Sequence, residues 1–501
     1  MSSHKMAPPG HTTSGTWNWR RVKRWAAWAI GAPFALLLVL YLAWALSNLN
    51  DATPMPVPAA LALPAPKLPD ERNAAYAVMG LFAAPDSEPD AVGRASWQAE
   101  LAWAALPLVQ GQLAPYPETL ANTTMVLKHI SGPPWVCQHE GESCIAQWLT
   151  QKDALALQRE QGRVWGARCE RLLDGAFEFE EPLPPQLGLA ASVLVPTSNL
   201  VQCERWFSTG AVLAWAIGQN QEALRQLVRA NKLRVHYLEG SKTLVAASVA
   251  MRVARRVESS FAAIALRDAT LAPQLASLLS PLPDQRQLAT RWIRTEAAHG
   301  RSKLAVMAHA SMSQGLDDVL AQARRQGVAV ADNRSWFERL SDAVDDRLPL
   351  ARFSFQLERT TQAMDQLWLD TLGRLAQADL GAATAVKHPP PEGPLGWAWR
   401  NAAGRSMVDL ATPAFAHYLA RHADAELHSH MVALVLALQT QQVPASERES
   451  WTQKQDLPTV FKQRLSWADD GRKISAKPWI SEPRLGPYDP ARSDISVPWP
   501  P

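Results

Sequence analysis

Residues 249–264 read VAMRVARRVESSFAAI. Val249, Val253, Val257, Phe261 and Ile264 recur at three- and four-residue steps, the spacing of one helix face, while Arg252, Arg255, Arg256 and Glu258 fall outside it. The same period returns at Leu357, Met364, Trp368, Leu372 and Leu375, with Glu358, Asp365 and Arg374 off the stripe. Between Asp70 and Gln441 no run of alternating β-branched residues is long enough to make a sheet. The pattern predicts an all-α domain of stacked αα-hairpins, interrupted at Pro107–Pro117, Pro133-Pro134, Pro182–Pro185, Pro281–Pro283 and around Pro389-Pro390-Pro391. Thr412-Pro413 reads as N-cap and first turn of a helix running to about Gln441.

Trp206, Gly210, Gly218, Ala223 and Ala230 resemble one tetratricopeptide-type hairpin. The step to Gly218 is one residue too long and no second copy follows, so a generic αα-hairpin is expected there. The C-terminal end changes character. Arg464-Leu465-Ser466-Trp467, Asp470-Gly471 and Arg472-Lys473-Ile474 spell a short β-hairpin around an Asp-Gly turn. A proline-rich tail follows, whose Trp479, Tyr488 and Trp499 favour wrapping onto the domain over exposure to water.

Upstream of the helical region, residues 25–46 read WAAWAIGAPFALLLVLYLAWAL, without a charge. As a helix this is about 33 Å long, enough for a hydrocarbon core of about 30 Å. Trp25 and Trp28 at one end, Tyr41 and Trp44 at the other, suit rings seated at the two membrane interfaces. Arg20, Arg21, Lys23 and Arg24 precede the span and no Lys or Arg follows until Lys67, which predicts a cytoplasmic N-terminus and an exported remainder. Ala43-Trp44-Ala45 would serve as a cleavage site, but the apolar core is far longer than that of a signal peptide, so an uncleaved single-pass signal-anchor is the reading. Pro54, Pro56, Pro58, Pro64, Pro66 and Pro69 then predict an extended stalk of about 70 Å that holds the body off the bilayer.

The whole chain of 501 residues therefore divides as follows. A basic segment (1–24) precedes the span (25–46) and the stalk (47–69). A helical domain (70–385) carries all four cysteines. A proline-rich break (386–396), a long-helix region (397–460), and the hairpin and tail (461–501) complete it. The formal charge of +3 has one address: five bases and no acid lie in residues 1–50, leaving 45 bases against 47 acids in the rest. A nucleic-acid-binding body is excluded on that balance. Cys137, Cys144, Cys169 and Cys203 all fall on the exported side, where disulfides persist, and the pairing Cys137–Cys144 with Cys169–Cys203 is expected, among three possible.

Chemistry is sparse. The chain has no H-E-x-x-H, G-x-S-x-G, Walker or dinucleotide-binding motif, and nothing indicates a cofactor. Its densest polar cluster is His417, His422, Asp424, Glu426, His428 and His430. His422, Glu426 and His430 share a face at i, i+4 and i+8, so Glu426 with either histidine is a candidate metal site. The competing expectation is a solvated helix surface. Glu178, Glu180 and Glu181 beside Phe177 and Phe179 read as an exposed loop before prolines.

Asp70-Glu71-Arg72-Asn73-Ala74-Ala75-Tyr76 with Leu81, the Cys137/Cys144 loop, and Asn401-Ala402-Ala403-Gly404-Arg405 carry a resemblance to signal-anchored, all-helical exported proteins of Gram-negative bacteria. The tyrosine–proline pair usual after the long helix in that group is replaced here by Gln441-Gln442-Val443-Pro444. The resemblance implies an inner-membrane protein with a periplasmic body, and no activity. The expected role is a scaffolding or peptide-binding module with an envelope protein as partner and the lipid bilayer held through residues 25–46. A metal-assisted envelope hydrolase built on residues 417–430 is the alternative.

Overall fold

The stretch 249–264 lies inside a helix at the centre of the molecule. In the computed structural model, which describes residues 19–104, 142–184, 197–313, 355–377, 400–468, 471, 473–479 and 495–498, the chain is mostly helical. The helices are α1 (Trp19–Asn48), α2 (Ala75–Met79), α3 (Pro89–Ala104), α4 (Glu142–Thr150), α5 (Lys152–Gln161), α6 (Arg163–Asp174), α7 (Thr197–Ala216) and α8 (Asn220–Gly240). There follow α9 (Leu244–Arg267), α10 (Ala272–Leu278), α11 (Gln285–Ser313), α12 (Leu357–Gln377), α13 (Ala402–Thr440), α14 (Arg448–Lys454) and α15 (Thr459–Lys462).

Helix α9 begins at Thr243, whose hydroxyl accepts from the Ala246 N–H at 3.2 Å. Val253, Val257, Phe261 and Ile264 are fully buried, as the spacing predicts. Glu258, off the apolar stripe, is buried as well. Helices α4, α7, α8 and α13 pack around α9, so its polar side is also covered.

Helices α7 and α8 form the expected αα-hairpin. Gly218 takes φ +77°, with its N–H on the Trp215 carbonyl and that of Gln219 on the Ala214 carbonyl, a paired C-terminal cap that needs a left-handed residue. The residues of the tetratricopeptide-like pattern serve packing between neighbours. A Cβ on Gly166 of α6 would stand 2.0 Å from the Trp206 ring, and one on Gly210 would meet the guanidinium of Arg159 at 2.7 Å. Arg159 lies over Trp206, 3.8 Å from the ring centroid, and donates to its carbonyl. Cys169 and Cys203 join α6 to α7 as a disulfide with Cα atoms 5.5 Å apart. Cys144 is also disulfide-bonded, and Cys137 lies outside the described residues.

A second cluster joins α11, α12 and α13 through Ile293, Trp292, Met364, Leu367, Trp368 and Leu419. Helix α13 starts ten residues before the expected Thr412-Pro413 cap. A proline inside a helix deletes one rung of the ladder; ahead of it Val408 is buried, and at the helix start Asn401 accepts from the Gln356 N–H at 2.7 Å. Strands β1 (Leu465–Ala468) and β2 (Lys473–Ala476) form the expected antiparallel hairpin, with Leu465 opposite Ala476 and Ala468 opposite Lys473. Gly471 has φ +84°, while Asp470 and Arg472 lie outside the described residues. The tail adds a third strand, β3 (Ile495–Pro498), antiparallel to β2. Trp479 packs edge-on to Phe461 at 5.7 Å, in line with a wrapping tail, and Tyr488 and Trp499 lie outside the described residues.

Residues 48–68 correct the free stalk. Asp51 caps α12, accepting from the Glu358 and Arg359 N–H groups at 2.8 and 3.1 Å. The Thr53 carbonyl accepts from Gln362, the Ala60 carbonyl from Arg294, and Leu61 is buried against α11 and α12. Lys67 and Leu68 donate their N–H groups to Glu180, both at 2.8 Å. An extended proline-rich chain has no internal hydrogen bonds, so its amides and carbonyls are open to such partners. The segment is a strap along the body.

Candidate functional site

The polar residues of α13 between 417 and 430 point into different neighbours. His422 is fully buried between α11 and the turn before it. The Trp292 indole N–H donates to its Nε2 at 3.0 Å, and its Nδ1 lies 3.1 Å from the Gln285 Oε1. The Gln285 amide nitrogen in turn donates to the Pro283 carbonyl at 2.8 Å, which fixes the direction of the chain and places the imidazole proton on Nδ1. Burial depresses the His422 pKa to about 3, so the ring is neutral and both nitrogens are spent.

One and a half turns on, His428 meets α9. Its Nδ1 stands 2.9 Å from Glu258 Oε2 and its Nε2 3.4 Å from the Ser259 hydroxyl. Glu258 also accepts from Arg234 of α8, which is itself fully buried and reaches the Asn231 side chain and the Ser280 carbonyl. Burial raises the Glu258 pKa, but His428 and Arg234 outweigh it and hold the carboxyl below its ordinary value. Serine, imidazole and carboxylate thus stand in the order of a nucleophile relay. The chemistry does not follow, because Ser259 sits mid-helix, where its own amide and those beside it are spent in the α9 ladder and offer no oxyanion donor. A carboxylate tied to a guanidinium is also a poor partner for an imidazolium. The cluster ties α8, α9 and α13 together.

Asp424 faces the C-terminal segment. It accepts from the Trp479 N–H at 2.9 Å, and burial raises its pKa to about 6. His430, half-buried, has its ring 5.1 Å from Phe461, and burial lowers its pKa. The expected solvated face is corrected: His422, Asp424 and His428 are buried because α13 is enclosed on several sides. His422, Glu426 and His430 are not brought together on a common point. Among the described residues no three His, Cys, Asp or Glu side chains are placed to hold a metal ion.

Glu180 and Glu181, expected in an exposed loop, are buried. Glu181 accepts from the Lys242 and Thr243 N–H groups and the Thr243 hydroxyl, all at 2.7 Å, and so seats the start of α9. Burial is the larger effect and raises its pKa. Glu180 pairs with Lys242 at 2.8 Å and binds the strap. Arg168 gathers the carbonyls of Leu81, Ala83, Ala84, Pro85 and Ser87 within 3.1 Å. No feature of the sequence flagged Arg168 or Arg234.

A shallow groove of about 470 Å³ opens between α8 and α10, with Leu224, Val228 and Leu278 as its apolar lining and Arg225 and Arg229 beside them. Arg229 is held by Asp174 at 2.8 and 2.7 Å. Helix α1 is long and apolar enough to cross a membrane, and the Cys169–Cys203 bridge is of the kind that an extracytoplasmic compartment preserves. No family model, curated protein or solved structure matches the chain.

Proposed function

We propose that the protein is a single-pass, membrane-anchored scaffold of the bacterial envelope, its N-terminus cytoplasmic and its helical body on the periplasmic face of the inner membrane. The observation that carries this reading is how its buried polar groups are used. Arg168, Glu181, Arg234, Glu258 and His422 each bind other elements of the fold. Such a network fixes relative positions of helices, which is what a scaffold requires. The groove between α8 and α10 has an apolar lining and a charged rim, a surface suited to a peptide of a partner protein.

The test is in-membrane photocrosslinking of the full chain with the probe at Val228 in the groove and, as comparison, at Ile217 outside it. One discrete adduct from Val228, lost in Leu224→Glu, supports a scaffold with a docked partner. Identical adduct patterns from both positions refute it. A reporter active only outside the cytoplasm, fused after Pro501, tests the orientation: inactivity overturns it.

A further inference from the structure

The less exposed residues in the last two turns of α1 are Tyr41, Trp44, Ala45, Ser47 and Asn48. Four of them, at 41, 44, 45 and 48, share one helix face, while Leu42, Ala43, Leu46 and Leu49 are exposed. The body is what covers that face at its end. The Asn48 side chain accepts from the Asn401 N–H at 3.1 Å, and its carbonyl accepts from Gln356 at 3.1 Å. Tyr41 and Trp44 are the residues whose rings suit the outer interface, and 41 to 48 spans about 10 Å along the helix. The edge of the body therefore starts at the depth of that interface.

A second observation concerns the strap. Its polar backbone and the Asp51 carboxylate are turned to the body, whereas Leu49, Met55 and Val57 are 58%, 65% and 54% exposed. No charged residue lies between Asp51 and Lys67. An exposed apolar stretch that follows an apolar helix, its one carboxylate Asp51 spent on the start of α12 and no further charge until Lys67, fits a bilayer surface, where apolar side chains enter the boundary of headgroups and acyl chains.

We propose that the outward face of the strap lies in the outer headgroup layer of the bilayer that α1 crosses, so that the body is seated on the membrane. This rests on the reading of α1 as an anchor, and the experiment separates the two. The full chain is placed, one copy per disc, in phosphatidylcholine–phosphatidylglycerol nanodiscs. Single nitroxide labels are introduced by Leu38→Cys, Leu49→Cys, Met55→Cys, Val57→Cys and Ile217→Cys, and their collision rates with oxygen and with a water-soluble nickel chelate are compared. Oxygen should dominate at 38, 49, 55 and 57, and nickel at 217. Nickel dominance at 55 and 57, with oxygen dominance at 38, overturns the seating and leaves the anchor standing. Nickel dominance at 38 overturns both. Labels at 55 and 57 shielded from both agents would indicate a protein partner on the strap, and also overturn the seating.

Discussion

Removing the carboxylate of Glu258 tests whether the buried network holds the helices together. Glu258 and Arg234 are both 0% exposed, and among the described residues the guanidinium also reaches Asn231 Oδ1 and the Ser280 carbonyl, both neutral. Glu258→Ala leaves a charge in a low-dielectric interior with no counter-charge on α9. Breaking a buried pair from one side costs about 3–5 kcal/mol. At about 2 °C per kcal/mol for a chain of this size, the melting temperature should fall by on the order of 6–10 °C. The complementary change is Arg234→Met with Glu258→Leu and His428→Leu, which removes the ion pair and its imidazole partner together. It should cost less than the single substitution, since apolar replacement of a whole buried network is neutral or stabilising by about 1–4 kcal/mol in favourable cases. The assay is urea unfolding of the full chain in detergent, followed by helical circular dichroism. A loss below about 1 kcal/mol for Glu258→Ala, or a triple variant less stable than the single one, would refute the argument.

Four further outcomes are expected. His422 has its pKa lowered to about 3 by burial, so the unfolded chain takes up its proton first as pH falls. Its contribution to stability is complete above about 6.5 and declines towards pH 3 by about 1.4 kcal/mol per unit, a slope that His422→Leu should remove in unfolding measured across that window. Asp424, raised to about 6, acts in the opposite sense: its contribution is present below its unfolded pKa and lost as pH rises through 6, so Asp424→Asn should flatten that limb of the same titration. Opening the 34-residue loop by Cys169→Ala with Cys203→Ala should cost about 4 kcal/mol on the loop-entropy relation, and an unchanged denaturation midpoint would contradict it. Gly166→Ala places a Cβ 2.0 Å from the Trp206 ring and should cost about 1–3 kcal/mol, with a red-shifted tryptophan emission as the ring is displaced.

The helices and their inner faces were legible because a 3.6-residue period survives in any one segment, as at Val253, Val257 and Phe261. What the period does not encode is whether the opposite side is covered too. Glu258 looks solvated from its own helix, and its partners Arg234 and His428 lie 24 and 170 residues away. The same holds for His422, whose indole donor is 130 residues distant. The strap is hidden in the sequence for a related reason. Proline spacing specifies an extended backbone but not what accepts its hydrogen bonds, and Glu180, which receives two of them, itself sits in a charged, proline-flanked stretch that reads as an exposed loop.

Asn48 is hydrogen-bonded to Asn401, the residue that opens α13, and α13 runs 39 residues to the neighbourhood of the C-terminal sheet. That makes a rod of about 58 Å whose opening residue is bonded to the last residue of α1. Because α13 is bonded to α9 through His428 and to α11 through His422, the contact that sets Asn401 at its start also sets where its far end meets β3.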